Sequence, residues 1–292
     1  MSEIIQFLET IFSPSILIFT VANLFVMGIQ AKLPEVIAAL KNKKSLALIF
    51  MWGWVLGPAL GYLITRVLPL AEPYVIVVLL CSLAPCAPFL PPMVEKARGD
   101  VSFAGAFVPL VAVGTVVFMP LIAPLLIKGL AISTVALAKP LFVTLLLPLI
   151  IGAAIRHYAD TVATKIFPAA KVFALVTTLG MIVSCLVLYG PAMLDTAGSL
   201  ALLSMTIFMV GMGLITYRFG FGLKEKQRGV MSLGMLSRNF AAVLAAALTV
   251  PDLDPLVVTM IVMWVLWSIV LSAIAARIFA KQAGKTVEGD TI

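Results

Sequence analysis

The chain has 292 residues, of which 62% are hydrophobic and 11% are charged, and its mean hydropathy is +1.17. Soluble domains are about 45–50% apolar and about 25% charged, so a water-soluble domain of this composition would lack a polar surface. Three cysteines are too few for a disulfide framework. The net charge of +7 is divided into short clusters between apolar runs, which points to a lipid bilayer and not to a nucleic acid as the partner.

Nine long hydrophobic segments follow one another along the chain. They lie near residues 13–31, 45–66, 73–95, 101–127, 135–156, 168–190, 198–217, 228–249 and 253–280. A membrane-spanning helix needs about 20 apolar residues, and the unbroken runs do not alternate as the strands of a membrane β-barrel do. We therefore expect an all-α, polytopic membrane protein in which residues 1–292 form a single domain of nine transmembrane helices.

The basic residues are distributed unevenly over the loops. If the N-terminus faces outward, sixteen of the 20 Lys and Arg residues fall on the inner side, Arg66, Lys128 and Lys139 fall outside, and Arg238 lies within a span. The positive-inside rule then predicts that the N-terminus is outside and the C-terminus is cytoplasmic. The short loops and the lack of an evident secretory signal favour a bacterial inner (plasma) membrane.

Four prolines interrupt the third segment, "LLCSLAPCAPFLPPMVEKARGD", at positions 85, 88, 91 and 92. Each proline lacks a backbone donor and clashes with the preceding helical turn. Within a membrane, backbone groups that are freed in this way must be buried in protein or line a wet cavity. The third segment is therefore predicted to be a broken helix.

The eighth segment, "RGVMSLGMLSRNFAAVLAAALTV", carries Arg238 and Asn239 near its middle. An arginine at that depth costs at least about 2.5–3.5 kcal/mol, so it must face water, a partner or a ligand. It could bond freed backbone carbonyls, contact a solute, or do both.

The two abnormal segments hold equivalent places in the two halves of the chain. The third segment is followed by one more span at the end of the first half, and the eighth is followed by one more span at the end of the second half. The two halves therefore end alike, in opposite orientations across the membrane. Inverted repeats with broken helices that cross at the midplane are typical of secondary transporters.

At these segments the chain resembles the bile acid:sodium symporter (BASS) superfamily. The resemblance begins at "NLFVMGIQAKLPEVIAALKNKKSLAL", continues through "LAPCAPFLPPMVEKARGDVSFAGAFVPLVAVGTVVFMPLIAPLL" and closes at "GMLSRNFAAVLAAAL". It is nearly end to end and fits the nine-helix form of the superfamily. The resemblance implies a secondary transporter of a small organic anion that works by alternating access, is not an enzyme and needs no cofactor.

The chain departs from the sodium-using members of that superfamily at their cation ligands. The positions where those members carry oxygen-bearing side chains hold Leu90, Pro91, Ala104, Val108 and Gly234. Arg238 stands where they carry Gln, and two positive charges about 4 Å apart repel by roughly 4 kcal/mol at an effective dielectric of 20. We therefore expect both sodium sites to be absent, and the guanidinium to replace part of the lost positive charge.

The resemblance places an anion site at the crossing of the two broken helices. Arg238 would hold the anionic group, Asn239 and Ser237 would hydrogen-bond at the unwound turn, and the backbone around Pro88 and Pro91 would form the opposite wall. Glu95, at the inner end of the third segment, is a candidate for proton coupling or an interfacial charge.

Besides the anion transporter, the residues leave two other functions open: an arsenite or metalloid efflux carrier that uses Cys86, and a non-transporting membrane receptor or scaffold. Cys86 lies in an "APC" stretch similar to that of arsenite-efflux carriers, and a thiolate binds trivalent arsenic well. Those carriers have Glu where this chain has Ala241, and a small buried apolar role for Cys86 is the simpler interpretation. A receptor or scaffold with the transporter fold, and a homo-oligomer of any kind, are also compatible with the sequence.

Overall fold

The computed structural model describes residues 2–127, 134–197, 200–250 and 253–289. The structure is 87% helical, and no strand occurs within these ranges, which confirms the all-α class. The described α-helices are α1 (Ser2–Gln30), α2 (Leu33–Lys41), α3 (Lys43–Phe50), α4 (Gly57–Val67), α5 (Glu72–Ser82), α6 (Leu90–Lys96), α7 (Val101–Leu126), α8 (Thr134–Leu141), α9 (Leu147–Tyr158), α10 (Asp160–Ala197), α11 (Leu200–Arg218), α12 (Glu225–Leu236), α13 (Phe240–Ala247) and α14 (Pro255–Gly289).

Seven helical segments of the described chain are long and apolar enough to cross a membrane. They are Thr10–Gln30, Lys43–Val67, Val101–Leu126, Thr134–Tyr158, Asp160–Pro191, Leu200–Arg218 and Pro255–Ala283. Each coincides with a predicted span, which confirms a polytopic membrane protein. The third and eighth predicted spans are each divided between two shorter helices, so the total of nine crossings stays a prediction.

Some of the predicted features lie outside the described residues. They are Lys128 of the loop count, the first two residues of the span near 198–217, and residues 1 and 290–292 at the ends of the predicted domain. Elsewhere the helices extend beyond the apolar stretches that predicted them. The clearest case is α10, which begins at Asp160 although its apolar segment begins near residue 168.

Two spans contain a π-helical turn that ends two residues before a proline. Met51–Leu56 joins α3 to α4 ahead of Pro58, and Phe142–Leu146 joins α8 to α9 ahead of Pro148. A proline cannot donate to the carbonyl one turn earlier, so the turn that precedes it widens. π-Helical turns within α-helices often occur at functional sites.

The described helices pack in two groups. One group is α1 with α9 and α10, and α1 meets α9 through two glycines: a Cβ on Gly28 would lie 2.3 Å from the carbonyl oxygen of Leu149, and one on Gly152 would lie 2.4 Å from that of Phe25. In the other group, α14 contacts all four short helices, α5, α6, α12 and α13. The broken segments are therefore supported mainly from the α14 side.

Candidate functional site

Both predicted helix breaks are present. In the third predicted span, α5 ends at Ser82 and α6 begins at Leu90. In the eighth, α12 ends at Leu236, α13 begins at Phe240, and three extended or irregular residues lie between them. The prolines and the central arginine therefore mark the positions at which the two helices stop.

The two breaks cross and pair through their backbones. Pro85 and Arg238 form a single antiparallel β-bridge. The surrounding backbone hydrogen bonds run from Asn239 N to Ala84 O (2.8 Å), from Cys86 N to Gly234 O (2.9 Å) and from Cys86 N to Ser237 O (3.0 Å). Backbone groups that the helix breaks release are thus satisfied by the other break, as a buried position in a membrane requires.

Side chains satisfy further carbonyls that the breaks release. The indole Nε1 of Trp54 donates to Leu83 O at 3.2 Å, and Arg238 Nη2 donates to Met235 O. The hydroxyl of Ser237 donates to Leu233 O at 2.8 Å. The Ser237 hydroxyl is therefore engaged in a hydrogen bond to the backbone of the crossing.

The Arg238 side chain is fully buried, with an exposed fraction of 0%. Its guanidinium carbon lies 4.6 Å from the centroid of the Phe208 ring on α11, which is a cation–π distance. Its Nε and Nη1 atoms have no hydrogen-bond partner among the described residues, and no described carboxylate forms a salt bridge with it. The crossing therefore holds a positive charge that no described acidic side chain offsets.

A narrow cavity lies on the opposite side of the crossing, toward α1 and α7. Its volume is about 10 Å³, enough for a single water molecule. The residues that line it are Leu24, Met27, Cys86, Pro88, Val108, Ala112 and Asn239. Cys86 has a φ of +70°, so this wall of the cavity has a left-handed backbone that non-glycine residues adopt only at a cost.

A larger cavity of about 570 Å³ lies next to the narrow one, since Met27 and Val108 line both. Its charged lining residues are Lys32, Glu95 and Arg156, at or near the ends of α1, α6 and α9. Arg156 is paired with Asp160 at 3.0 Å. The volume lies within the range of about 300–1,000 Å³ that is usual for small-molecule sites.

The structure divides the predicted site residues between three places. Cys86, Pro88 and Asn239 line the narrow cavity, and Pro91 and Glu95 line the larger one. Ser237 and Arg238 line none of the cavities described above and are buried behind the crossing. A direct contact between Arg238 and a solute stays a prediction.

Sequence reasoning missed the residues that other elements bring to this region. Lys32 and Arg156 were counted only as inner charges, and the ring of Phe208 carries no sequence signal that distinguishes it from a packing residue. Trp54 has such a signal in retrospect, since a buried indole N–H requires an acceptor.

The predicted sodium-ligand positions offer no oxygen-bearing side chain. Leu90, Ala104 and Val108 are buried apolar residues. At Gly234 a Cβ atom would lie 2.3 Å from Cε1 of the Phe107 ring, so the ring occupies the space that an acidic side chain would need. The side chains at these positions therefore provide no oxygen ligand for a sodium ion, and the absence of the sodium sites stays a prediction.

Comparison with known proteins points to one family. The model of the sodium bile acid symporter family matches residues 16–195, which include the first helix break. A protein of Arabidopsis thaliana described as "Probable sodium/metabolite cotransporter BASS3, chloroplastic" is 24% identical over 231 residues, covering 75% of this chain and 53% of that protein. A protein of the same description from Oryza sativa subsp. japonica is 25% identical over 198 residues, covering 65% of this chain and 45% of that protein. The chain thus spans about half the length of the curated relatives it matches.

Proposed function

Because this chain belongs to the sodium bile acid symporter family, we propose that it is a secondary transporter that moves a small organic anion without sodium. The observation that carries the proposal is the positive charge of Arg238. This charge is buried behind the crossing, and no described carboxylate offsets it. A buried charge without a partner attracts a mobile ion of opposite sign more strongly than an exposed charge does.

The larger cavity is suited to admit such an anion. Its lining includes two cationic side chains, Lys32 and Arg156, and one anionic side chain, Glu95. A cationic side chain in a low-dielectric cleft raises the local concentration of an anionic solute, although Arg156 is already paired with Asp160. Met27 and Val108 lie between the two cavities and line both, so a solute would pass these two residues to approach Asn239.

In this proposal the residues of the crossing have distinct roles. Asn239 Oδ1 accepts from Ala242 N at 3.2 Å and caps α13, which leaves the amide N–H groups for the solute. Pro88 and Pro91 form the opposite wall, and Cys86 packs beside them. Arg238 attracts the anion from behind the crossing and would contact it directly only if that wall moves.

The charge distribution supports the proposed orientation in a bacterial inner membrane, with the N-terminus outside and the C-terminus cytoplasmic. Lys32, Glu95 and Arg156 then belong to the cytoplasmic side, and the larger cavity opens inward. Alternating access would move the group of α1, α9 and α10 against the helices that surround the crossing. Proton coupling through Glu95 is part of the proposal, because this exposed carboxyl lines the path.

The metalloid alternative has less support. Cys86 is the one thiol that lines the narrow cavity, and Cys81 and Cys185 line neither of the two cavities on the path. Its Sγ lies 3.8 Å from Ala87 O, so local backbone already accounts for its position. A single thiol is a weak basis for selecting a soft metalloid ion.

The test combines binding and flux with the purified protein. Thermal unfolding is measured with bile salts, short oxo-acids, sulfonates and arsenite, each in sodium and in potassium, because a ligand of the native state raises the melting temperature. We expect an organic anion to raise the melting temperature equally in both salts. The same anion should then be taken up by proteoliposomes in which the purified protein has been reconstituted.

Each part of the proposal has its own contrary result. Stabilisation or uptake that requires sodium contradicts the sodium-independent mechanism. A response to arsenite alone, abolished by Cys86→Ser, assigns the protein to the metalloid alternative. Binding of an anion without any flux would indicate a receptor or scaffold with the transporter fold.

A further inference from the structure

We infer that a groove between the α3–α4 span and α11 binds an acyl chain of an anionic phospholipid, and that Lys44 and Arg218 hold the phosphate of this lipid. The groove is separate from the two cavities beside the crossing. The inference does not depend on which solute the protein moves, so it and the proposed function can fail independently.

The first step is the groove itself, which has a volume of about 450 Å³ and is lined only by residues with apolar or aromatic side chains. Its floor is formed by buried residues, among them Leu48, Trp52 and Met212. The floor is closed where α4 meets α11, because a Cβ atom on Gly211 would lie 3.4 Å from Cδ2 of Leu60. The groove therefore has a packed floor and apolar walls.

The second step is the shape of the groove. Its rim is exposed, with exposed fractions of 45% for Met51, 56% for Leu63 and 66% for Phe221. Along the α3–α4 span the lining runs from Leu48 to Leu63, which is about 22 Å at 1.5 Å per helical residue. One leaflet supplies half of a hydrocarbon core about 30 Å thick, so the groove is long enough for one acyl chain.

The third step is the charge at one end of the groove. On α3, Lys44 precedes the lining residue Leu48 by one helical turn, and on α11, Arg218 follows the lining residue Ile215 by three residues. Residues at these spacings share a helix face. The guanidinium carbon of Arg218 lies 5.6 Å from the ring centroid of Phe219, which also lines the groove. In the proposed orientation both walls thus end in a cation on the cytoplasmic side.

The fourth step is the choice of occupant. Lys44 and Arg218 are both exposed, and neither forms a salt bridge with a carboxylate of the described chain. A second copy of this chain in a symmetric dimer would bring the same two cations against each other. An anionic phospholipid complements both parts of the site, because its chain is apolar and basic positions at the cytoplasmic ends of membrane helices attract its headgroup.

The lipid would also support the helices that lie beside the crossing. The ring of Phe208, which faces Arg238, packs on α4, since a Cβ atom on Gly61 would lie 3.6 Å from its Cε2 atom. A chain seated in the groove would hold α4 and α11 together next to this ring. Lipid binding should therefore raise the stability of the whole protein.

The experiment measures the melting temperature of the detergent-purified protein in mixed micelles. Dioleoyl phosphatidylglycerol is compared with dioleoyl phosphatidylcholine, which has the same chains without a net negative charge. The variants are Lys44→Gln, Arg218→Gln, the two combined, and Ala59→Trp, which fills the groove from an exposed alanine of its lining.

Each kind of variant has a matched control on α10, outside the groove. Lys171→Gln removes an exposed cation that also lies over a phenylalanine ring, that of Phe167 at 6.0 Å. Ala169→Trp adds the same bulk at another exposed alanine. Both residues lie outside the lining of the groove.

We expect phosphatidylglycerol to raise the melting temperature of wild type and of both controls by at least about 3 °C more than phosphatidylcholine does. Lys44→Gln and Arg218→Gln should each raise the phosphatidylglycerol concentration at half-maximal stabilisation about fivefold, because one cation near an anionic headgroup is lost. The combined variant and Ala59→Trp should lose the difference between the two lipids.

The inference is overturned if the two lipids stabilise wild type equally, or if the combined variant keeps the preference for phosphatidylglycerol. Equal stabilisation by inorganic phosphate would mean that the cations bind a free anion and that the groove is not used. Light scattering without added lipid tests the remaining occupant. A wild-type dimer that Ala59→Trp converts to a monomer would assign the groove to a second copy of the chain and contradict the inference.

Discussion

The hydroxyl of Ser237 accepts a hydrogen bond from the backbone N–H of Ala87 at 3.1 Å and joins the two broken helices. The same oxygen donates to Leu233 O at 2.8 Å. A residue of the second break thus satisfies a buried backbone donor of the first, 150 positions away in sequence.

Replacing Ser237 with alanine should therefore destabilise the protein by about 1–3 kcal/mol, because a buried N–H group loses its acceptor. The free energy of unfolding in mixed micelles, measured by detergent titration, tests this. Ser232→Ala is the control: its hydroxyl donates to Gly213 O at 2.7 Å, and its loss leaves no backbone donor unsatisfied. An equal loss at both positions would contradict the proposed importance of the Ala87 donor.

The left-handed backbone of Cys86 makes a second prediction. With φ at +70°, Cys86→Gly should stay within about 1 kcal/mol of wild type, whereas Cys86→Val should lose about 1–3 kcal/mol, because a β-branched residue is strained there. Cys81 is the control, since it is equally buried but lies within α5. At Cys81 glycine should be destabilising, because it weakens a helix interior. Thermal unfolding of the three variants decides, and a Cys86→Val variant as stable as Cys86→Gly would refute the prediction.

The close approach of α1 and α9 makes a third prediction. Gly28→Ala should destabilise the protein by about 1–3 kcal/mol, because its Cβ would overlap the carbonyl oxygen of Leu149 and force the helices apart. Gly180→Ala is the control, since no atom outside its own helix turn lies within 4 Å of the added Cβ. Melting temperatures of both variants test the prediction, and equal values would mean that the two helices separate at little cost.

The charges of the larger cavity make a fourth prediction, this one for transport. Lys32→Gln should raise the KM for an anionic substrate by a factor of about 5, which corresponds to on the order of 1 kcal/mol of lost attraction, and should change kcat less. Lys171→Gln removes the same charge from α10 outside the cavity lining and should leave KM unchanged. Initial uptake rates into proteoliposomes measure both constants.

Ionic strength separates this electrostatic effect from a structural one. The difference between Lys32→Gln and wild type should shrink as salt is added, because the attraction of a charge in an open cavity is screened. A difference that does not depend on salt would indicate that Lys32 acts through packing at the end of α1.

The helix breaks could be predicted from the sequence because their causes are local. A proline lacks its donor wherever the helix is placed, and an arginine within an apolar span is costly in any arrangement. The same holds for the seven long apolar helices, whose length and composition are properties of each segment alone. The identity of the family was also visible in these segments, since the motifs around Pro88 and Asn239 carry it.

The direction of each side chain at the crossing was decided by the tertiary structure. Arg238 and Asn239 are neighbours in sequence, yet one faces Phe208 and the other lines the narrow cavity. Adjacent residues in an extended segment point to opposite sides, and only the packing of α11 and α1 determines which side is which. The sequence by itself thus determined a membrane protein of broken helices with a buried charge between them. The tertiary structure decided what that charge faces, because its neighbours come from helices that are distant in sequence.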